Sequence, residues 1–256
     1  MTPVFPRTSF HSSKLIRCLT ELKLLDAADP ENGVAEKLGL WINFSDAIAL
    51  STVHSESPLH SLSASQSATW RKQQPAVHAV ITAEFERIQM ALTSSITQGC
   101  TPDRDKSHIK LIAPTHELPF DRKTAYLPYA RLYEAQVREM EMMIQPLRVN
   151  VRAALVRASP RLRKLAELDA MFEKILRARE KQLLAKVPAL LKKRFDQLCD
   201  AEQRALSDTP QPPGEIQKST WLARFCIDMQ TLLLAEMDLL LQPTMGLLDA
   251  INDDGK

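Results

Sequence analysis

The hydrophobic positions of this chain recur at helical spacing over most of its length. Leu15, Leu19 and Leu22 form such a face near the N-terminus, where Ser12 or Ser13 can cap the helix. The short helices predicted in this part of the chain cover residues 12–27, 34–40 and 45–53. Together they make a small N-terminal helical unit, residues 1–54.

A serine-rich stretch follows, and it predicts a flexible linker over residues 55–67. The apolar spacing then resumes with Val77, Ile81 and Phe85, which predicts a helix that starts at residue 68 or 75 and ends near 97. Turn-forming residues dominate residues 99–128 and predict a long loop. Residues 68–256 are expected to form the main helical bundle.

Two distant segments of the second half nearly repeat each other. Residues 139–146 read EMEMMIQP and residues 236–243 read EMDLLLQP. Because proline lacks an N–H and clashes with the preceding turn, each helix is expected to end or kink at Gln-Pro, and the two helices are expected to pack together. Further breaks are predicted at Ser159-Pro160, at Pro188, which is expected to kink its helix, and at residues 210–214, with Ser219 capping the last helix.

Composition supports a single structural class. Only 6 glycines and 5% aromatic residues accompany 45% hydrophobic residues, which favours helices over strands. We therefore predict an all-α protein, a helical bundle with long kinked helices and the small N-terminal unit. The scattered Cys and His residues predict no metal and no cofactor. Neither a signal peptide nor a membrane span is expected, so the predicted location is cytoplasmic.

No established catalytic motif occurs in the chain. There is no glycine-rich phosphate loop, no HExxH or GxSxG pattern and no Cys/His nucleophile pair. The sequence therefore predicts a protein that is not an enzyme, and an enzyme whose site forms only in a complex is the remoter alternative.

Charge is concentrated in one part of the chain. Residues 148–194, the basic segment, hold 14 Lys and Arg against 4 Asp and Glu, whereas the remainder holds 19 against 27. The candidate nucleic-acid-binding residues are Arg148, Arg152, Arg157, Arg161, Arg163, Lys164, Lys174, Arg177, Arg179, Lys181, Lys192, Lys193 and Arg194. They either line a surface for DNA phosphates or are neutralised by the acidic helices, and the sequence leaves both readings open.

The apolar stripe predicted for the last helix includes Leu222, Phe225, Met229 and Leu233. One acid interrupts this stripe. Glu236 falls between the directions of Phe225 and Met229, so it is expected to be buried with an arginine or a helix end as its partner. Asp228 is expected on the opposite, polar face. Gln136, on the corresponding stripe of the earlier helix, is predicted to be a packed hydrogen-bonding residue.

Several segments resemble an uncharacterised bacterial helical family. They are 41–51 (WINFSDAIALS), 129–133 (YARLY), 187–195 with Glu202 and Gln203, and the C-terminal WLARF, DMQ, LLAEMD, LQP and GLL of residues 221–248. In that family the gene lies beside genes for a MotA/TolQ-like membrane protein, an OmpA-like peptidoglycan-binding protein and another cytoplasmic protein. That arrangement is similar to type III Zorya anti-phage systems.

The resemblance implies a cytosolic accessory or effector component of a Zorya-like system. Its expected partners are the membrane stator-like complex or the second cytosolic protein, with backbone contacts to DNA and a homo-oligomer as open possibilities and no membrane insertion. A helical scaffold or assembly factor for a membrane proton-channel complex, without nucleic-acid binding, is the alternative. A continuous positive surface would favour the Zorya-like component, and internal neutralisation of the basic segment would favour the scaffold. A deep pocket holding Glu236 and another ionisable group would favour an enzyme.

Overall fold

The computed structural model describes residues 13–24, 41–55, 64–100, 121–208 and 220–254. Within these residues the chain is almost entirely helical and contains no strand, so the predicted all-α class is confirmed. The helices are α1 (Lys14–Glu21), α2 (Phe44–Ser55), α3 (Ala64–Gly99), α4 (Arg122–Ala158), α5 (Pro160–Leu184), α6 (Val187–Asp208) and α7 (Thr220–Asp254). The helix predicted at 34–40 and the cap at Ser219 lie outside the described residues.

The starts of α4 and α5 follow from local sequence. The Asp121 carboxylate accepts hydrogen bonds from the backbone N–H groups of Lys123 and Thr124 at the start of α4. Ser159 accepts from the N–H of Leu162, and Pro160 occupies the first position of α5, where its missing N–H has no consequence. The predicted break at Ser159-Pro160 is therefore confirmed.

The helices that carry the near-repeat, α4 and α7, pack against each other at the centre of the bundle, as predicted. Neither ends at its Gln-Pro step, because Pro146 and Pro243 both lie inside continuous helices. Buried residues continue on the far side of each proline, for example Leu147 in α4 and Leu247 in α7. Core contacts on both sides thus hold the helix through the position that loses a backbone hydrogen bond.

Four predicted boundaries differ from the structure. Helix α1 ends at Glu21 rather than near residue 27, and the Ser13 side chain makes no capping hydrogen bond. Helix α4 begins at Arg122, so residues 122–128, which were predicted to belong to a loop, are helical because Asp121 caps the helix before Pro128. Helix α3 already begins at Ala64, inside the predicted linker. The chain breaks just before Pro188, between the end of α5 at Leu184 and the start of α6 at Val187. Pro188 therefore lies in the first turn of α6, where proline is tolerated, and does not kink a longer helix.

The other helices surround α4 and α7. Helix α3 packs against both, α5 and α6 each contact both, and α1 lies on α7 while α2 lies on α5. A cluster of aromatic rings joins α4, α6 and α7, with ring centroids of Phe195 at 5.3 Å from Tyr126 and 5.1 Å from Phe225. The described parts of the N-terminal unit therefore rest directly on the bundle.

The length and composition of helix α7 would allow it to cross a membrane, although no membrane span was expected from the sequence. Half of its most apolar window is buried inside the protein. It packs against α1, α3, α4, α5 and α6, which is the arrangement of a core helix.

Candidate functional site

The basic segment is partly neutralised within the fold. Arg148 donates two hydrogen bonds to Asp169, from Nε to Oδ2 at 3.0 Å and from Nη2 to Oδ1 at 2.6 Å. Arg152 donates to Glu173 at 2.6 Å and lies 3.6 Å from Asp169. Burial raises the pKa of Glu173, but the hydrogen bond and charge of Arg152, the charge of Arg148 and a hydrogen bond with Gln145 together outweigh it, and the pKa is lowered. These two arginines join α4 to α5 and are not available to a phosphate.

A second group of charges joins α6 to α7. Arg194 Nη2 lies 2.8 Å from Asp228, and Arg224 Nε lies 3.2 Å from the other oxygen of the same carboxylate. The Asp228 side chain is only 4% exposed, so the polar face on which it was expected is covered at this position. Lys192 binds Asp196 at 2.7 Å within α6. Asp228 is buried because α6 covers that side of α7 and supplies a guanidinium to it.

The rest of the basic segment divides into engaged and exposed residues. Lys181 lies 3.3 Å from Glu141, Arg163 donates to a carbonyl near the end of α4, and the Arg179 guanidinium lies 5.5 Å from the Trp41 ring centroid. The exposed members are Arg157, Arg161, Lys174, Arg177 and Lys193, and Lys164 is half-buried. The exposed cations thus lie at the α4–α5 junction, along α5 and on α6, separated along the chain by residues that are paired internally.

Gln136 is a buried hydrogen-bonding residue between α3 and α4. Its Nε2 lies 3.2 Å from the Ser95 hydroxyl, which in turn lies 2.7 Å from a carboxylate oxygen of Glu139. The side chain is satisfied by protein groups and lies in the core. This is the packed role that its place on the apolar stripe predicts.

Glu236 lies in the core of the bundle, as its position in the apolar stripe predicts, and is 1% exposed. Its partner is the Tyr133 hydroxyl, which donates to Oε2 at 2.7 Å from α4. The expected arginine is absent: among the described residues no cation is in ion-pair contact with this carboxyl. Burial raises the pKa of Glu236 to about 7, and the hydrogen bond from Tyr133 acts in the opposite direction.

Glu236 and Tyr133 line a cavity of about 360 Å³ between α4, α5, the start of α6 and α7, which is within the usual range for small-molecule sites. Its apolar wall includes Val137, Met140 and Ile144 from α4 and Leu240 from α7. Sequence reasoning located Glu236 but missed the cavity, since its walls come from four separate parts of the chain. The near-repeat was the only local signal, because Met140 and Leu240 both belong to it.

Charged residues surround the cavity on the α4 and α5 sides. Glu180 lines it, and burial raises the pKa of this carboxyl while Arg148 and Arg177 act to lower it. Arg148 is held by Asp169, and Lys181 on the same wall is paired with Glu141. Among the described residues, buried Glu236 and half-buried Glu180 thus line the cavity without an ion pair, as does exposed Glu134.

The cavity meets the condition given for the enzyme alternative, since it holds Glu236 together with other ionisable groups, but Tyr133 is not suited to act as its base. Burial and the neighbouring Glu236 raise the pKa of Tyr133, so the phenol remains protonated and cannot act as a base at neutral pH. No three His, Cys, Asp or Glu side chains are placed to hold a metal ion in the described ranges. The cavity can therefore hold a proton on Glu236 and accept hydrogen bonds from a bound group.

Comparison with protein families then assigns the chain. Residues 1–253 match a family described as "Protein of unknown function (DUF3348)". The chain belongs to this family. The DUF3348 match covers the N-terminal helices as well as the bundle, so both belong to one family unit. No curated protein and no solved structure matches the DUF3348 chain.

Proposed function

We propose that this DUF3348 protein is a cytosolic component of a Zorya-like anti-phage system that acts by binding other proteins and is not an enzyme. The observation that carries the binding role is an exposed apolar face on α4. Met142 is 70% exposed, Val149 53% and Val156 39%. Exposed large apolar residues that share one face are typical of a protein contact surface.

The three residues are seven positions apart, so they lie on nearly the same side of α4, with a drift of about 20° per seven residues. Exposed Pro146 and Ala153 lie between them. We call these five residues the α4 stripe. It extends from Met142 to Val156, about 21 Å of helix, which matches the seam that one partner helix forms with another.

Charges beside the α4 stripe indicate the chemistry of the partner. Arg157 and Arg161 are exposed at its C-terminal end, whereas Arg148 and Arg152 turn inward to their carboxylates. A partner helix with an apolar face and acidic side chains opposite Arg157 and Arg161 would complement this surface. Several cations of the basic segment are paired with carboxylates of the same chain. The α4 stripe and the exposed arginines beside it therefore fit a protein partner better than an extended contact with DNA phosphates.

Co-purification tests this role. The tagged protein is co-expressed with the MotA/TolQ-like, OmpA-like and second cytosolic proteins whose genes lie beside those of the family. The amount of these partners that the wild type captures is compared with the amount that the double variant Met142→Glu/Val149→Glu captures. Met90→Glu is the matched control, since Met90 is 65% exposed on α3, away from the stripe. Capture by the wild type and the control, with at least a tenfold loss in the double variant, is the expected result. Equal capture of the partners by the wild type, the control and the double variant would overturn the role of the stripe.

Two further measurements separate the alternatives. Light scattering of the isolated protein shows whether the stripe instead joins two copies of the chain. Binding of labelled duplex DNA across a salt series, with Arg157→Glu/Arg161→Glu as the variant and exposed Arg131→Glu as the control, tests phosphate contact. Strong binding that falls steeply with salt and is lost only in the double variant would replace the protein-binding role by DNA binding.

A further inference from the structure

From the cavity beside Glu236 we infer a binding site for a primary ammonium group carried on an apolar stem. The cavity combines a buried carboxyl and a phenol with an apolar wall. This inference concerns a different surface from the α4 stripe and does not depend on the proposed protein-binding role. It is argued from the shape of the cavity, the groups that it buries and the charges that remain unpaired.

The apolar wall defines the stem of the bound group. Val137, Met140, Ile144 and Leu240 come from two helices and face one cavity of about 360 Å³. An apolar chain that replaces water against these side chains gains about 25 cal/mol for each Å² removed from water. A fully polar molecule would gain nothing from this wall.

The buried polar pair defines the head of the bound group. The Tyr133 hydroxyl uses its hydrogen to donate to Glu236, so once Glu236 is ionised both groups offer the cavity only acceptor lone pairs. A head group that enters must therefore donate hydrogen bonds. An ammonium has three donors and no acceptor, and it supplies the positive charge that Glu236 lacks among the described residues.

Charge around the cavity favours a cation over an anion. The lining includes five carboxylates and four basic groups, and Arg148 and Lys181 among the basic groups are paired with Asp169 and Glu141. Glu180 adds a second carboxyl without an ion pair, with Arg177 close enough to influence it but not in contact. An alkyl carboxylate would place its charge near Glu236 and would be repelled as soon as Glu236 ionises.

Exposed residues mark the mouth of the cavity. Glu141 and Lys181 have side-chain exposures of 46% and 57%, and exposed Arg138 lines the same cavity. A free amine can enter there, and so can a lysine side chain from another protein, which has the same ammonium on the same kind of stem. The chemistry is shared, and the source is a matter for experiment.

Calorimetry with three small probes tests the site. Hexylammonium, hexanol and hexanoate have the same stem and differ in the head group, and each is titrated into the wild-type protein and into Glu236→Gln. We expect saturable binding of hexylammonium, at least tenfold weaker binding of hexanol and hexanoate to the wild type, and at least tenfold weaker binding of hexylammonium to the variant. Glu86→Gln is the matched control, because Glu86 is exposed on α3 and does not line the cavity, and it should change the affinity less than threefold.

A second readout guards against a variant that alters the fold. In the wild-type protein, the side-chain carbonyl ¹³C resonance of Glu236 should move toward the ionised position as hexylammonium is added at pH 6.5. Tyr133→Phe should retain that response with weaker affinity, since the carboxyl remains. A peptide with one lysine among leucines, compared with the same peptide acetylated on that lysine, distinguishes a protein side chain from a free amine as the natural source.

Three outcomes would overturn the inference. They are hexanoate binding as tightly as hexylammonium, equal affinity of hexylammonium for the wild type and Glu236→Gln, and the absence of saturable hexylammonium binding at millimolar concentration with no movement of the Glu236 resonance. None of these results bears on capture through the α4 stripe, so the two proposals fail independently.

Discussion

Replacing the buried acid Glu236 by glutamine should change how the stability of this protein depends on pH. In the unfolded chain this carboxyl ionises near pH 4.5, whereas in the folded protein it remains protonated up to a pKa of about 7. Between these two values the unfolded state has released a proton that the folded state retains. The free energy of unfolding therefore falls as the pH rises through this window, and the effect levels off above it.

The magnitude follows from the two pKa values. Each unit of difference between the folded and unfolded states corresponds to about 1.4 kcal/mol. The rise from 4.5 to about 7 therefore predicts that the wild type loses about 3 kcal/mol relative to Glu236→Gln between pH 4.5 and pH 7.5. Glutamine is nearly the same size and its carbonyl oxygen can still accept from Tyr133, so the variant should retain the fold.

The assay is urea unfolding followed by circular dichroism at pH 5, 6, 7 and 8. The quantity to compare is the difference in unfolding free energy between the wild type and Glu236→Gln, because other titrating groups cancel in it. Glu134→Gln, an exposed acid on α4, is the control and should run parallel to the wild type. A wild-type-minus-Glu236→Gln difference that stays constant within about 0.5 kcal/mol across this range would refute the reasoning.

Three further predictions concern stability at neutral pH, each measured by urea unfolding. Lys23 has a φ of 55° at the end of α1, where glycine has no Cβ clash, so Lys23→Gly should stabilise by about 0.5–1 kcal/mol, and a loss of stability would contradict this. Phe195 is fully buried between three helices, so Phe195→Ala should destabilise by about 3–5 kcal/mol, and a loss below about 1 kcal/mol would show that the aromatic cluster is not packed as described. Arg194→Ala removes one of the two guanidinium partners of buried Asp228, with Arg224 remaining, and should destabilise by about 2 kcal/mol, whereas exposed Arg161→Ala should change stability by less than about 0.5 kcal/mol. Similar effects of the two arginine variants would contradict a structural role for Arg194.

The core face of α7 shows how far sequence reasoning reaches. Leu222, Phe225, Met229 and Leu233 were placed on one apolar stripe by their spacing, and all four are buried. Glu236 was placed on the same stripe and is also buried. These predictions succeed because a helix repeats every 3.6 residues, so the sequence alone shows which residues share a face.

Asp228 shows where the same reasoning fails. Its spacing assigns it to the polar face of α7, yet the residue is buried there with Arg194. Helical periodicity shows which residues share a face, but it does not show whether another helix will cover a polar face. Only the position of α6 against α7 decides that, and the two residues are separated by 34 positions in the chain.

The sequence by itself determined the helical class, the cap and break at Ser159-Pro160, the shared faces of each helix and the burial of Glu236. These features depend on propensity and spacing within one helix, which are local properties. The tertiary structure decided that Tyr133, 103 residues away, is the partner of Glu236, that Arg148, Arg152 and Arg194 bind internal carboxylates, and that a cavity opens beside the near-repeat. Those outcomes depend on which helices meet and at what position along their length, and that is set by packing of the whole bundle.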